Sequence, residues 1–147
     1  MSALRSGDIL LVEDNPNDAE LTLRALKKTR VANEIHVVRD GAEALEFLFG
    51  EGAYALRAGS ALPRVVLLDL KLPKVDGLEV LRRIKGEERT KLVPVIVLTS
   101  SREESDLVAS YRLGANSYIV KPVESEAFFK AVNDIGLYWL LLNEPPH

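Results

Sequence analysis

The chain has no cysteine in its 147 residues. Structural disulfides, thiolate nucleophiles and cysteine-ligated metals are therefore excluded. Histidine is almost as scarce, with only His36 and His147. One falls in a strand and one in the tail, so neither suits a phosphohistidine role, and both read as structural or solvent-facing. No apolar run approaches the roughly 20 residues a membrane helix needs. Met1 to Asp8 holds no signal-peptide core. The expected location is cytoplasmic. Basic charge is not in excess either: the net charge is −3, and nucleic-acid binders carry a basic surface. No Gly-rich phosphate loop follows the first strand, which argues against a nucleotide site.

What is present is an ordinary globular balance, 47% hydrophobic and 28% charged. The length suits one domain, read as residues 5–143 with a short tail at 144–147. Asp8 to Val12, Glu34 to Val38, Val65 to Leu68, Leu92 to Leu98 and Asn116 to Val120 read as strands. The apolar runs among them are unbroken, as in strands buried on both faces of a parallel sheet. Pro94 is tolerable only near its strand's start. The fifth strand is shorter and more polar and belongs at an edge.

Helical patterns fill the intervals. Asn15-Pro-Asn-Asp18 starts a helix reaching about Thr29, with Ala19, Leu23 and Leu26 on one face. Arg24, Lys27 and Lys28 lie away from that stripe and read as a solvated face. Arg39-Asp40-Gly41 is a turn. Ala42 to Phe49 is a helix with Leu45, Leu48 and Phe49 inward. Gly50 to Pro63 has no firm period and reads as an exposed extension of that helix plus a loop, anchored to the core by Tyr54 and Leu56. Leu78, Leu81 and Ile84 mark a helix stopping at Gly86. Glu103 to Leu113 is a helix closed by Gly114, and Val123 to about Leu142 is the last. Alternating strands and helices predict an α/β domain with a parallel sheet covered on both faces.

In such a sheet the strand ends share one edge, where ligands bind. Strand one delivers Glu13 and Asp14, strand three Asp69, strand four Thr99 and strand five Lys121. Alone, Asp69 has two readings: a chemical group, or an acid that only bonds nearby turn amides. The conjunction favours chemistry. Close carboxylates repel, and a hard cation such as Mg²⁺ relieves this while keeping several waters. A carboxylate can also act as a nucleophile and form an aspartyl phosphate. Lys121 would pair with phosphoryl oxygens and Thr99 would donate to another.

These residues sit in motifs: Leu11-Val-Glu-Asp14, Asp69-Leu-Lys-Leu-Pro-Lys-Val-Asp-Gly77, Leu98-Thr-Ser100 and Tyr118-Ile-Val-Lys121-Pro122. From Asp8 to Asn143 the chain resembles the response-regulator receiver domains of two-component signalling, of the chemotaxis-regulator type. The resemblance implies a flavodoxin-like doubly wound sheet of five parallel strands, order 2-1-3-4-5, with five helices. It implies Asp69 as phosphoacceptor and Mg²⁺ as cofactor. Asp14 would hold the ion directly, Glu13 through water, and Lys71 by its backbone carbonyl, with its ammonium turned away. Thr99 and Lys121 would hold the phosphoryl group. Tyr118 would turn inward when Thr99 shifts, and the peptide before Pro122 would be cis. Lys71 and Ser101 would tune the lifetime of the phosphoryl bond.

A finer resemblance is to stand-alone regulators paired with phytochrome-type histidine kinases. It rests on Asn15-Pro-Asn-Asp-Ala-Glu-Leu21, on Val38-Arg-Asp-Gly-Ala-Glu-Ala-Leu-Glu-Phe-Leu48 and on the Phe128 to Trp139 helix. Such a chain is not an enzyme beyond its own phosphoryl transfer and dephosphorylation. It has no DNA-binding domain and works through partners. Residues 137–142 are apolar all round. They are read as part of a homodimer face of helix four, strand five and helix five, with Tyr138 and Trp139, or else as a deeply packed terminal helix.

Two other classes compete. A magnesium-dependent phosphatase would carry a second acid two positions beyond its nucleophile, and Lys71 stands there. A purely structural dimerisation module would not need Glu13, Asp14, Asp69, Thr99 and Lys121 together.

Overall fold

A computed structural model describes residues 9–28, 34–52, 62–72, 74–99, 109–110, 112–115 and 117–120, with backbone alone at 25, 28, 99 and 117–120. In chain order the elements are β1 (Ile9–Val12), α1 (Pro16–Lys28), β2 (Ile35–Val38), α2 (Gly41–Phe49), β3 (Val65–Asp69), α3 (Gly77–Gly86), β4 (Val95–Thr99) and β5 (Ser117–Val120). The strands form one parallel sheet in the order β2-β1-β3-β4-β5, which makes β2 and β5 its edges.

The unbroken apolar runs are explained by the pleat, which sends successive side chains to opposite faces. Leu10, Val12, Val66, Leu68, Val95 and Val97 join Ala44, Leu45, Phe47 and Leu48 of α2 and Val80, Leu81 and Ile84 of α3 in one cluster. Ile9, Leu11, Val65, Leu67, Ile96 and Leu98 join Ala19 and Leu26 of α1 in the other. Every side chain of β1 and β3 is therefore buried. Truncating one of these leucines, such as Leu68, to alanine costs about 2–5 kcal/mol.

The helix starts are set by side-chain caps. Asn15 Oδ1 accepts from the amides of Asn17 at 2.9 Å and Asp18 at 3.2 Å, and Pro16 takes the first helical position. Asp40 Oδ1 accepts from Glu43 N at 2.7 Å and caps α2. Asp76 caps α3 through Leu78 N at 3.4 Å. Gly50, at φ 64, closes α2 in the left-handed conformation that glycine adopts without strain. The helical residues before Gly114 end in a Schellman pattern: Ala115 N donates to Ser110 O at 2.9 Å, and Gly114 has φ 104.

Three sequence expectations shift. The fourth strand begins at Val95, not Leu92, because Pro94 has no N–H for the ladder; its carbonyl instead accepts from Val66 N at 2.9 Å. Leu92 stays in the preceding turn, 86% exposed. The second helix begins at Gly41, one residue earlier than expected, because Asp40 is its cap. Within it Phe47 is buried, whereas Phe49 lies half-out beneath the Arg83 guanidinium, 5.4 Å from the ring centre. The last helix, Tyr54, Leu56, most of the 50–63 segment, most of the 103–113 helix and the 144–147 tail lie outside the described residues. Among the described residues no helix is long and apolar enough to cross a membrane.

Candidate functional site

The register brings the predicted strand ends together. Val12 pairs with Val38 on one side and Leu68 on the other. Asp69 pairs with Leu98, and Thr99 with Val120. Glu13 and Asp14 thus follow β1 directly beside the end of β3, and Thr99 stands beside the residue preceding Lys121.

The side chains of the three acids converge. One carboxylate oxygen from each of Glu13, Asp14 and Asp69 lies within 4.8 Å of the others. Glu13 is 1% exposed and Asp69 6%, while Asp14 is exposed. The backbone explains the placement. Glu13 N donates to Val38 O at 3.0 Å, which continues the ladder one residue past β1. Glu13 Oε2 accepts from Asn15 N at 3.3 Å, so the residue that caps α1 also holds the buried acid. Asp69 Oδ1 accepts from Lys71 N at 3.0 Å. That bond is the turn contact expected of a strand-ending aspartate, and it coexists with the acidic cluster. An open groove of about 500 Å³ reaches Glu13 and Asp14 from the side of α1 and β2, with Arg39 on its wall.

Buried acids gathered at one point need compensation, because desolvation disfavours their charge and their neighbours repel it. An all-oxygen donor set at this spacing fits a hard divalent cation that keeps waters of its own. A backbone carbonyl could complete the set, and the 70–72 turn beside Asp69 is the nearest supply.

The family model for the response regulator receiver domain matches residues 9–133. The chain belongs to that family. Three similar proteins follow. The probable methanogenesis regulatory protein FilR2 of Methanothrix harundinacea is 46% identical over 94% of this chain and 86% of its own. The bacteriophytochrome response regulator AtBRR is 59% identical, with a TM-score of 0.76, over 95% of this chain and 99% of its own. Response regulator Rcp1 of Synechocystis sp. is 43% identical over 90% of this chain and 88% of its own. Its Mn²⁺-bound crystal structure superposes with a TM-score of 0.84, at 41% identity, over 96% of this chain and 99% of that one.

Other predicted receiver residues are placed less fully. Thr99 and Tyr118 are described as strand backbone only. Lys121, Pro122, Ser101, Tyr138, Trp139 and His147 lie outside the described residues. Lys71 is exposed and contributes its amide to Asp69. His36 packs its ring 5.5 Å from Phe47, the structural one of the two roles expected of it. Arg24 is exposed and pairs with Glu20 at 2.9 Å, as a solvated face predicts.

Gly41 and Gly77, which the sequence marks as a turn and a helix start, also shape the site through close packing. Gly77 sits so close to β3 that an added Cβ would stand 2.3 Å from Asp69 O and 2.5 Å from Leu70 Cα. Its amide donates to Leu70 O at 3.0 Å. The signal was available as a repeated dipeptide: Asp40-Gly41 and Asp76-Gly77 are both cap-plus-glycine helix starts.

Proposed function

We propose that the chain is a phosphoacceptor signalling protein that takes a phosphoryl group on Asp69 from a histidine kinase. The observation carrying this reading is the convergence of Glu13, Asp14 and buried Asp69 at one sheet edge in a receiver fold.

In the proposed step an Asp69 carboxylate oxygen attacks phosphorus. The phosphorus–nitrogen bond of the donor's phosphohistidine breaks, and its electron pair returns to the imidazole. The product is an aspartyl phosphate. The Lys71 amide on Oδ1 fixes the carboxylate's orientation before attack. Burial of Asp69 limits the water that could compete. Glu13 and Asp14, with Asp69 and the Lys71 carbonyl, would hold Mg²⁺. The ion supplies charge neutralisation for the phosphoryl oxygens. Thr99 and Lys121 would contact those oxygens.

The added charge, about −1.5 to −2 by analogy with phosphorylated hydroxyls, would draw Thr99 and let Tyr118 turn inward. The face of helix four, β5 and the last helix would then change its partners or its homodimer contacts. The protein would act as a cytoplasmic regulator through its partners, not as an enzyme with an external substrate. Similarity to AtBRR, named as a bacteriophytochrome response regulator, supports a phytochrome-type kinase as donor.

The test is phosphorylation by acetyl phosphate, followed by intact mass, on wild type and Asp69→Asn. A Mg²⁺-dependent single phosphoryl adduct on wild type alone supports the reading. No adduct on either protein overturns it.

A further inference from the structure

The turn between β3 and α3 carries the Lys71 amide that holds Asp69, and it is braced from a second loop. Lys74, in that turn, has φ 68 without being glycine. Its ammonium lies 3.6 Å from Asp40 Oδ2. The other oxygen of Asp40, Oδ1, accepts from Glu43 N at 2.7 Å. The Asp40 side chain is 17% exposed, against 70% for Lys74. One carboxylate therefore fixes the start of α2 with one oxygen and meets the β3–α3 turn with the other.

Beside this pair the two backbones touch. A Cβ at Gly41 would stand 1.9 Å from Val75 O and 2.8 Å from Val75 Cβ. Val75 and Gly77 bound the far end of the same turn, and Gly77 in turn lies against Asp69 O. The contacts run without a break from Asp40-Gly41, through Lys74-Val75 and Gly77, to Asp69.

We infer that Asp40 and Gly41 are positioning residues for the acidic site. They hold the β3–α3 turn in the one conformation that presents the Lys71 amide and carbonyl beside Asp69. The inference rests on the receiver reading above. An exposed ion pair contributes little by itself, so the role of Asp40 is to select the left-handed geometry at Lys74. The Gly41 contact supplies the hard stop: with any side chain there, α2 or the turn must move.

The experiment compares wild type, Asp40→Asn, Lys74→Gly, the double variant of these two, and Gly41→Ala. Mg²⁺ affinity is read by calorimetry, phosphorylation rate with acetyl phosphate by intact mass, and folding by thermal unfolding. Asparagine keeps the cap on α2 and removes only the charge facing Lys74. Asp40→Asn is expected to weaken Mg²⁺ binding and slow phosphorylation about two- to fivefold, the size of one exposed ion pair, with Tm nearly unchanged. In the Lys74→Gly background, where glycine adopts the left-handed backbone freely, the Asp40→Asn effect should vanish. Gly41→Ala should weaken Mg²⁺ binding about tenfold or more, the scale of an outer-shell metal defect. An Asp40→Asn protein with wild-type Mg²⁺ affinity and phosphorylation rate overturns the inference, whatever Gly41→Ala does. A wild type that accepts no phosphoryl group overturns the receiver reading, and this inference with it.

Discussion

Gly77 and Asp69 are in contact through their backbones, and no side chain fits between them. The phosphoacceptor candidate is thus set by the packing of α3 against β3 as well as by its own strand. Gly77→Ala is expected to lose about 1–3 kcal/mol of stability, the range for overpacking. Because displaced reacting groups lose rate steeply, its phosphorylation should also slow by about tenfold or more. Urea unfolding and acetyl-phosphate kinetics on the same preparation check both.

The acidic cluster makes a linkage prediction. Mg²⁺ at about 100 times its Kd should stabilise the folded chain by roughly 2.7 kcal/mol. Chelation should return the protein to its starting stability. Asp14→Asn should lose most of that gain, measured as the Mg²⁺-dependent shift in Tm.

Most of this was legible in the chain itself. Unbroken runs such as Ile9 to Val12 specify strands covered on both faces, and the acids at their ends anticipate the cluster of Glu13, Asp14 and Asp69. Less legible were features made by two segments meeting. Nothing local to Leu92 says that it is left outside the strand; Pro94 decides that through its missing N–H. Nor does Gly41 reveal that Val75 will press on it, since 34 positions separate the two residues and only the α2–α3 packing brings them together. The Asp-Gly pairs read naturally as turns because a helix cap and a turn use the same chemistry.

Ser110 carries a stability prediction of the opposite sign. Its Oγ is buried and finds no hydrogen-bond partner among the described residues. An unsatisfied buried hydroxyl costs about 1–3 kcal/mol. Ser110→Ala should therefore raise Tm, by roughly 3 °C for each kcal/mol recovered in a domain of this size.

Lys85 predicts a pH dependence. Its ammonium donates to Val93 O at 2.7 Å and Lys91 O at 3.2 Å, and its stem lies along Gly114. Burial holds its pKa below the ordinary 10.5. The folded state then binds fewer protons than the unfolded state in the window between the lowered value and 10.5. Below that window Lys85 is charged in both states and its burial opposes folding in full. As pH rises through the window, that penalty is relieved. Relative to Lys85→Met, wild-type stability should rise with pH there, as followed by denaturant midpoints on the alkaline side.

The proposed phosphoryl transfer ends in a covalent bond to the Asp69 carboxylate. The most direct measurement is borohydride reduction of protein treated with acetyl phosphate and Mg²⁺, followed by peptide mass spectrometry. An acyl phosphate is reduced to the alcohol, so homoserine is expected at position 69 and nowhere else, and none without Mg²⁺. An unreduced phosphoryl group on a hydroxyl such as Thr99, with Asp69 intact, would contradict it.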